Sequence, residues 1–126
     1  MASRVLVIED NPVNLEVVTA LLEGEGCLVL RAGTAEIGLR LAADERPDLI
    51  LMDLQLPGMT GYEATRKFKA DPATASIPVV ALTAQAMRGD EARAREAGCD
   101  AYLTKPVDME VFREALRRFL PQGSGR

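Results

Sequence analysis

The sequence has 126 residues, the length of one domain, and it is 48% apolar and 27% charged, proportions typical of a globular protein with its own core. Lys and Arg number 15 against 19 Asp and Glu, for a net charge of −4, which argues against a general nucleic-acid binder because such proteins carry a basic surface. The chain contains no histidine, so histidine catalysis, histidine metal ligation and a phosphohistidine within it are excluded.

The sequence predicts neither a membrane span nor a secretory signal. The apolar run at residues 5–8 stops at Glu9 and Asp10, and every apolar run is far shorter than the ~18 residues of a span. Cys27 and Cys99 form no CxxC pair and lie beside apolar stretches, so we expect buried, reduced thiols. These features predict a cytoplasmic protein that does not contact a membrane.

Five short apolar runs are predicted as strands, because the segments between them are long enough for helices. They are Val5–Ile8, Leu28–Leu30, Leu49–Met52, Val79–Leu82 and Ala101–Leu103. The first, third and fourth runs are almost uninterrupted, which is typical of strands buried on both faces of a parallel sheet. The second and fifth runs are shorter, which suits the edges of that sheet.

The first two helices have recognisable starts. Asn11 and Pro12 supply an N-cap and a first-turn proline for the first helix. Thr34 caps the second helix, in which we expect Ile37 and Leu41 to face inward.

Three further helices complete a regular alternation of strand and helix. They are predicted over Gly61–Ala70, over Arg88–Ala97 and over an apolar stripe that begins at Val111 and ends before Pro121. The alternation predicts a doubly wound α/β domain with right-handed crossovers. Alanine is the only apolar residue type in the fourth helix, so we expect that helix to be weakly anchored and the most mobile.

Polar side chains stand where the predicted strands end. The first strand leads into Glu9 and Asp10, the third into Asp53, the fourth into Thr83 and the fifth into Lys105. Since the carboxyl ends of parallel strands share one edge, we expect these groups to meet there. Three carboxylates in one place repel each other unless a cation is present, and oxygen ligands suit Mg²⁺. Taken singly, Glu9 and Asp10 are better explained as a solvated strand end and a helix cap, and the others as a loop cap, a strand-end hydroxyl or a surface charge. The placement of all five at one predicted edge favours a shared site.

The same site could accept a phosphoryl group. A carboxylate such as Asp53 is able to attack phosphorus and form an acyl phosphate. The ammonium of Lys105, the hydroxyl of Thr83 and a metal ion are groups that stabilise the charge of that transition state.

The chain resembles the receiver domain of bacterial two-component response regulators from Val5 to about Leu120. The stretches that carry the resemblance are residues 7–11, 47–53, 56–61, 78–84 and 102–106. The resemblance implies a flavodoxin-like sheet of five parallel strands in the order 2-1-3-4-5 with five helices. It also implies a receiver domain over residues 1–120 and a flexible tail over residues 121–126, and it covers both stand-alone regulators and receivers attached to hybrid histidine kinases.

The resemblance implies roles for individual residues at the site. Asp53 would be the phosphoacceptor, and Mg²⁺ would be held by Asp10, Asp53 and the backbone carbonyl of Gln55, with Glu9 acting mostly through water. Lys105 would contact the phosphoryl group and precede a cis peptide bond to Pro106.

A second implied feature is a switch formed by Thr83 and Tyr102. Phosphorylation would draw the Thr83 hydroxyl toward the new oxyanion and leave room for the Tyr102 ring to turn. The signal would leave through the face made by the fourth helix, the fifth strand and the fifth helix. We expect arginines to mark that face together with Tyr102, namely Arg93, Arg95, Arg113 and Arg117; an ordinary solvated surface is the alternative.

The implied function is a phosphorylation switch rather than an enzyme, since it would catalyse only its own Mg²⁺-dependent phosphorylation and dephosphorylation. Its partners would be a histidine kinase or a histidine phosphotransfer protein and a downstream protein target, without direct nucleic-acid contact, and the chain would be a monomer or a weak dimer. Gln55 and Gln85 are amides and not bases, so we expect slow to intermediate loss of the phosphoryl group.

Three other functions remain to be weighed. A phosphatase of the haloacid dehalogenase type needs a second acid two residues after the nucleophile, where this chain has Gln55. A flavin or nucleotide binder needs a glycine-rich loop after the first strand, where this chain is acidic. A degenerate receiver would have lost part of the set Asp10, Asp53, Thr83 and Lys105.

Overall fold

The computed structural model describes residues 2–84 and 88–121. Its strands and helices alternate along the chain, as the sequence predicts. In order they are β1 (Arg4–Ile8), α1 (Pro12–Gly24), β2 (Leu28–Ala32), α2 (Ala35–Glu45), β3 (Leu49–Asp53), α3 (Gly61–Ala70), β4 (Val79–Thr83), α4 (Asp90–Ala97), β5 (Ala101–Thr104) and α5 (Met109–Phe119). No helix in these two described segments is long and apolar enough to cross a membrane.

The five strands form one parallel sheet in the order β2-β1-β3-β4-β5, which confirms the predicted fold class. All residues of β3 and β4 are buried, and the weaker runs β2 and β5 form the edges. The register pairs Ile8 with Met52 and Thr83 with Thr104. The carboxyl ends of the four strands β1, β3, β4 and β5 therefore lie along the same edge.

Helices cover both faces of the sheet because successive strand side chains alternate between them. Leu6 and Ile8 belong to one core cluster, which is shared with α2, α3 and α4 and contains Phe68. Val5 and Val7 belong to the other, which is shared with α1 and α5 and contains Phe112. Both cysteines are free and buried, as expected.

Two apolar side chains expected to face inward point outward instead. Ile37 is 45% exposed and Val111 is 47% exposed. In α2 the face toward the sheet consists of Ala35, Gly38 and Ala42, and a Cβ built at Gly38 would lie 2.4 Å from Cδ1 of Ile8. The helix packs so closely that small residues occupy the contact, which turns Ile37 toward solvent.

The fourth helix is shorter than predicted and buries little. It begins at Asp90 rather than Arg88, because Gly89 adopts a left-handed conformation with φ of 89° and serves as the N-cap. Its buried residues are Ala94 and Ala97, which remove little apolar area from water. The expectation that α4 is the most mobile helix stays a prediction.

Ion pairs and backbone hydrogen bonds fasten the amino end of the sheet. The Lys69 ammonium donates to the carbonyl of Ile77 at 2.8 Å and to Oδ2 of Asp100 at 3.1 Å. The same Oδ2 accepts the backbone N–H of Val79 at 2.8 Å. This network ties the carboxyl-terminal end of α3 to the starts of β4 and β5.

Candidate functional site

The carboxyl edge of the sheet brings three acidic side chains together. Glu9, Asp10 and Asp53 each offer an oxygen, and these oxygens lie within 4.8 Å of one another. Glu9 directly follows β1, and its backbone N–H donates to the carbonyl of Ala32 at 3.0 Å. Glu9 is 3% exposed and Asp53 is 8% exposed, whereas Asp10 is open to solvent. Folding has therefore assembled the predicted cluster from two separate strand ends.

Lys105 follows the edge strand β5 and reaches this cluster along the carboxyl edge of the sheet. Its ammonium donates to Oε1 of Glu9 and lies 3.8 Å from Oδ2 of Asp53. Its backbone N–H donates to the carbonyl of Thr83 at 2.8 Å, which holds the lysine at the end of β4. The peptide bond between Lys105 and Pro106 is cis, as the resemblance implied.

Backbone groups orient the buried carboxylates. The N–H of Gln55 donates to Oδ1 of Asp53 at 2.9 Å, and the N–H of Asn11 donates to Oε2 of Glu9 at 3.2 Å. The side chain of Gln55 lies at the surface. One oxygen of Asp53 is thus held by the chain itself, and its other oxygen faces Lys105.

The start of α3 is pressed against the strand that carries Asp53. The N–H of Gly61 donates to the carbonyl of Leu54 at 3.1 Å. A Cβ at Gly61 would lie 2.7 Å from the backbone oxygen of Asp53, closer than side-chain carbons pack. Glycine is therefore required at position 61, and the start of α3 packs directly against the backbone of Asp53.

The charges at the site do not balance. The ammonium of Lys105 pairs with Glu9 and Asp53, and an oxygen of Asp10 lies within 4.8 Å of theirs. One cation is thus set against three carboxylates, two of which are nearly buried. Such a set favours a divalent cation with a preference for oxygen ligands. The donor atoms present are those that Mg²⁺ prefers.

The two predicted switch residues lie on neighbouring strands. Thr83 is 1% exposed at the end of β4, and Tyr102 pairs with Ala81 on β5. The Tyr102 hydroxyl is already buried and has no hydrogen-bond partner among the described residues. Burial, with the nearby carboxylates of Asp90 and Glu91, raises the pKa of Tyr102. Whether the ring turns on phosphorylation stays a prediction.

The arginines expected to mark one signalling face point in different directions. Arg113 donates to Oε2 of Glu25 at 3.1 Å, at the end of α1. Arg95 pairs with Glu91 in its own helix. Arg93 lies over the ring of a tyrosine in α3. These intramolecular contacts do not show which surface carries the signal, so the expectation of an arginine-marked face stays a prediction.

That tyrosine, Tyr62, is a contact that the sequence pattern did not predict. Its ring centroid lies 4.3 Å from Cζ of Arg93, and its hydroxyl donates to Oδ1 of Asp90 at 3.3 Å. Burial and then the Asp90 carboxylate raise the pKa of Tyr62. The available signal was weak, since an aromatic residue near the start of a helix reads as ordinary packing.

Comparisons with known proteins agree with this geometry. The family model of the response regulator receiver domain matches residues 5–117. The polar-differentiation response regulator DivK of Brucella anthropi is 42% identical over 120 residues, covering 95% of this chain and 98% of DivK.

Solved structures give the same result. The receiver domain of sensor histidine kinase PA1611 from Pseudomonas aeruginosa has a magnesium ion coordinated in its active-site cleft. It is 37% identical, with a TM-score of 0.87 over 94% of this chain and 98% of that chain. Chemotaxis protein CheY4 of Vibrio cholerae is 25% identical, with a TM-score of 0.87 over 95% of this chain and 100% of that chain. The shared architecture extends over almost the whole sequence.

Proposed function

The chain belongs to the family of response regulator receiver domains of two-component systems, and from that premise we propose that it is a phosphorylation switch whose acceptor is Asp53. The observation that carries the proposal is the cluster of Glu9, Asp10 and Asp53 with Lys105 at its side. Membership in this family does not favour the phosphatase and nucleotide-binding alternatives. Gln55 also stands where such a phosphatase needs an acid.

Mg²⁺ is the proposed cofactor. The side chains of Glu9, Asp10 and Asp53 and the carbonyl of Gln55 would hold it, with Glu9 acting mostly through water. When bound, the ion offsets the surplus negative charge and allows an anionic phosphoryl group to approach. The proposal is supported by the oxygen-only donor set and by the magnesium coordinated in the related receiver of PA1611.

The residues of the chain have separate tasks in the transfer. An oxygen of Asp53 forms a bond to phosphorus while the P–N bond of a donor phosphohistidine breaks, and the electron pair returns to the imidazole. Lys105, which faces Oδ2 of Asp53, offsets charge on the phosphoryl oxygens. The hydroxyl of Thr83 donates to one of those oxygens. Hydrolysis then restores the carboxylate, so no separate substrate is turned over.

The partners follow from this chemistry. The phosphoryl donor is a histidine kinase or a histidine phosphotransfer protein. The signal then passes to a downstream protein that contacts α4, β5 and α5. We extend the proposal to a monomer or weak dimer in the cytoplasm, where the buried free thiols suit a reducing compartment. The receiver domain would span residues 1–120 with a flexible tail over residues 121–126, of which only Pro121 lies among the described residues.

We propose that the phosphoryl group is lost from Asp53 at a slow to intermediate rate. The amide of Gln55 lies at the surface two residues after Asp53 and can hydrogen-bond water, but it cannot remove its proton. Gln85 was expected to contribute in the same way and lies outside the described residues. Loss of the phosphoryl group within about a second at neutral pH, without a phosphatase, would contradict this expectation.

Acetyl phosphate with Mg²⁺ tests the proposal directly. Intact mass spectrometry should show a gain of about 80 Da, one phosphoryl group on the carboxylate nucleophile. Asp53→Asn should abolish the gain, whereas Asp44→Asn, a matched change at an exposed position of α2, should retain it. If the parent chain gains no mass, it is a degenerate receiver. If Asp53→Asn gains as much mass as the parent, the acceptor is another residue.

A further inference from the structure

Tyr62 joins α3 to the first turn of α4. Its hydroxyl donates to Asp90 at the first position of α4, at 3.3 Å. Its ring lies under the guanidinium of Arg93, with 4.3 Å between Cζ and the ring centroid. One side chain of α3 thus grips the first turn of α4 in two different ways.

These two contacts lie at the end of α4 that has no side-chain N-cap and no buried residue. Gly89 at the N-cap has no side chain to bond the free N–H groups of the first turn. The buried residues of the helix, Ala94 and Ala97, lie in its second half. A hydrogen bond and a cation–π contact at the opposite end therefore help to position the first turn of α4.

Tyr62 is also directly connected to the acidic site. It follows Gly61, whose N–H bonds Leu54 and whose Cα leaves no room for a side chain beside Asp53. A shift of the chain around Asp53 consequently displaces the start of α3, and with it the ring that holds α4. Asp90 and Glu91 also lie near Tyr102.

We propose that Tyr62 is a positioning residue of the switch, which clamps the first turn of α4 to α3 and so sets the resting balance between two arrangements of α4. The arrangement described has Lys105 paired with the free carboxylates of Glu9 and Asp53, so the clamp stabilises the resting arrangement. Its loss shifts the population toward arrangements in which α4 is released. The effect on phosphorylation rests on the proposed function, whereas the clamp itself does not.

Amide hydrogen exchange of the full chain tests the clamp without any phosphoryl donor. Tyr62→Leu removes both contacts and should speed exchange in residues 90–97 about three- to tenfold, while Tyr62→Phe, which keeps the ring, should have a smaller effect. Arg93→Met should speed exchange about threefold. Arg95→Met is the matched control, because Arg95 pairs with Glu91 in the same helix and should change exchange less than twofold. The double variant Tyr62→Leu, Arg93→Met should exchange no faster than Tyr62→Leu alone.

Two results in the exchange experiment would overturn the clamp. One is unchanged exchange in α4 of Tyr62→Leu. The other is an equal acceleration in α1 and α5, which would mean that Tyr62 contributes only to global stability. The global free energy of unfolding, measured on the same variants, separates these cases.

The rate of modification by acetyl phosphate tests the consequence for the switch. Tyr62→Leu should be modified about three- to tenfold faster than the parent chain, since a larger fraction of molecules has α4 released. Faster exchange with an unchanged rate would overturn the claim that the clamp biases the switch. If the parent chain is not modified at all, the proposed function fails, and the exchange experiment still decides on the clamp.

Discussion

The two ends of the sheet both pair a lysine with strand-end carboxylates, yet they are built differently. At the amino end Lys69 meets Asp100 and the carbonyl of Ile77, and Asp100 also accepts the N–H of Val79. One positive charge there faces one carboxylate, and backbone groups use the remaining hydrogen-bonding capacity. At the carboxyl end Lys105 pairs with Glu9 and Asp53, and Asp10 adds a third carboxylate to the cluster. The paired charges at the amino end stabilise the fold, whereas the cluster at the carboxyl end has an excess of carboxylates, which a bound cation would offset.

Exchanging either lysine for methionine should separate these roles. Lys105→Met is expected to slow modification by acetyl phosphate about 100-fold or more, because a charge that stabilises the transition state is lost. Lys69→Met removes the same charge at the opposite end and should leave the rate within about twofold of the parent. A time course followed by intact mass provides the measurement. Equal slowing by both substitutions would refute the distinction between the two ends.

Magnesium should stabilise one end and ignore the other. At a free concentration of 100 times the Kd, Mg²⁺ is expected to raise the free energy of unfolding by about 2.7 kcal/mol. Asp10→Asn should remove most of this gain, and without Mg²⁺ this variant should be more stable than the parent because one repelling charge is gone.

Asp48→Asn is the control at the amino end, where Oδ2 of Asp48 accepts the N–H of Arg4 at 2.8 Å. It should lower stability without changing the response to Mg²⁺. Urea unfolding with and without Mg²⁺ measures both quantities. An Asp10→Asn chain that still gains the full stabilisation would show that the ion binds elsewhere.

The amino-end fastening should be visible as stability alone. Lys69→Met is expected to cost about 1 kcal/mol, since the carbonyl of Ile77 and the carboxylate of Asp100 lose a donor, while their partial exposure lets water replace much of it. Lys67→Met, on the exposed face of the same helix, should change stability by less than about 0.5 kcal/mol. Thermal or urea unfolding of the two variants side by side decides it; equal effects would mean that the network stabilises nothing.

The site could be predicted from sequence because its residues stand at strand ends. Asp53 and Thr83 follow runs that are apolar without a break, and a parallel sheet brings such positions to one edge whatever the details of packing. The motifs that resemble the receiver family then added the roles of Gln55 and Tyr102. The order of the strands follows from the same resemblance.

Other features depend on contacts that a local pattern does not encode. Ile37 faces solvent because Gly38 allows α2 to approach Ile8 too closely for a larger side chain between them. Arg113 turns toward Glu25 across the chain, and Tyr62 reaches Asp90 and Arg93 on another helix. Long side chains choose among several partners after folding, so helix periodicity predicts their position but not their direction.

The last expected effect, similar in size to that of Lys69→Met, concerns the buried hydroxyl of Tyr102 on β5. Because it has no hydrogen-bond partner among the described residues, its burial costs free energy, and Tyr102→Phe should raise the free energy of unfolding by about 1 kcal/mol at neutral pH.

The pKa of Tyr102 is raised from the ordinary value of 10.0, so the folded state favours the neutral hydroxyl over the phenolate. Ionisation of this tyrosine therefore does not affect stability below pH 10, and it lowers the free energy of unfolding as the pH rises from 10 through the higher pKa of the folded state. The parent should therefore lose more stability above pH 10 than Tyr102→Phe does. Urea unfolding at pH 7 and above pH 10 measures both differences, and a phenylalanine variant less stable than the parent at pH 7 would show that the hydroxyl is bonded after all.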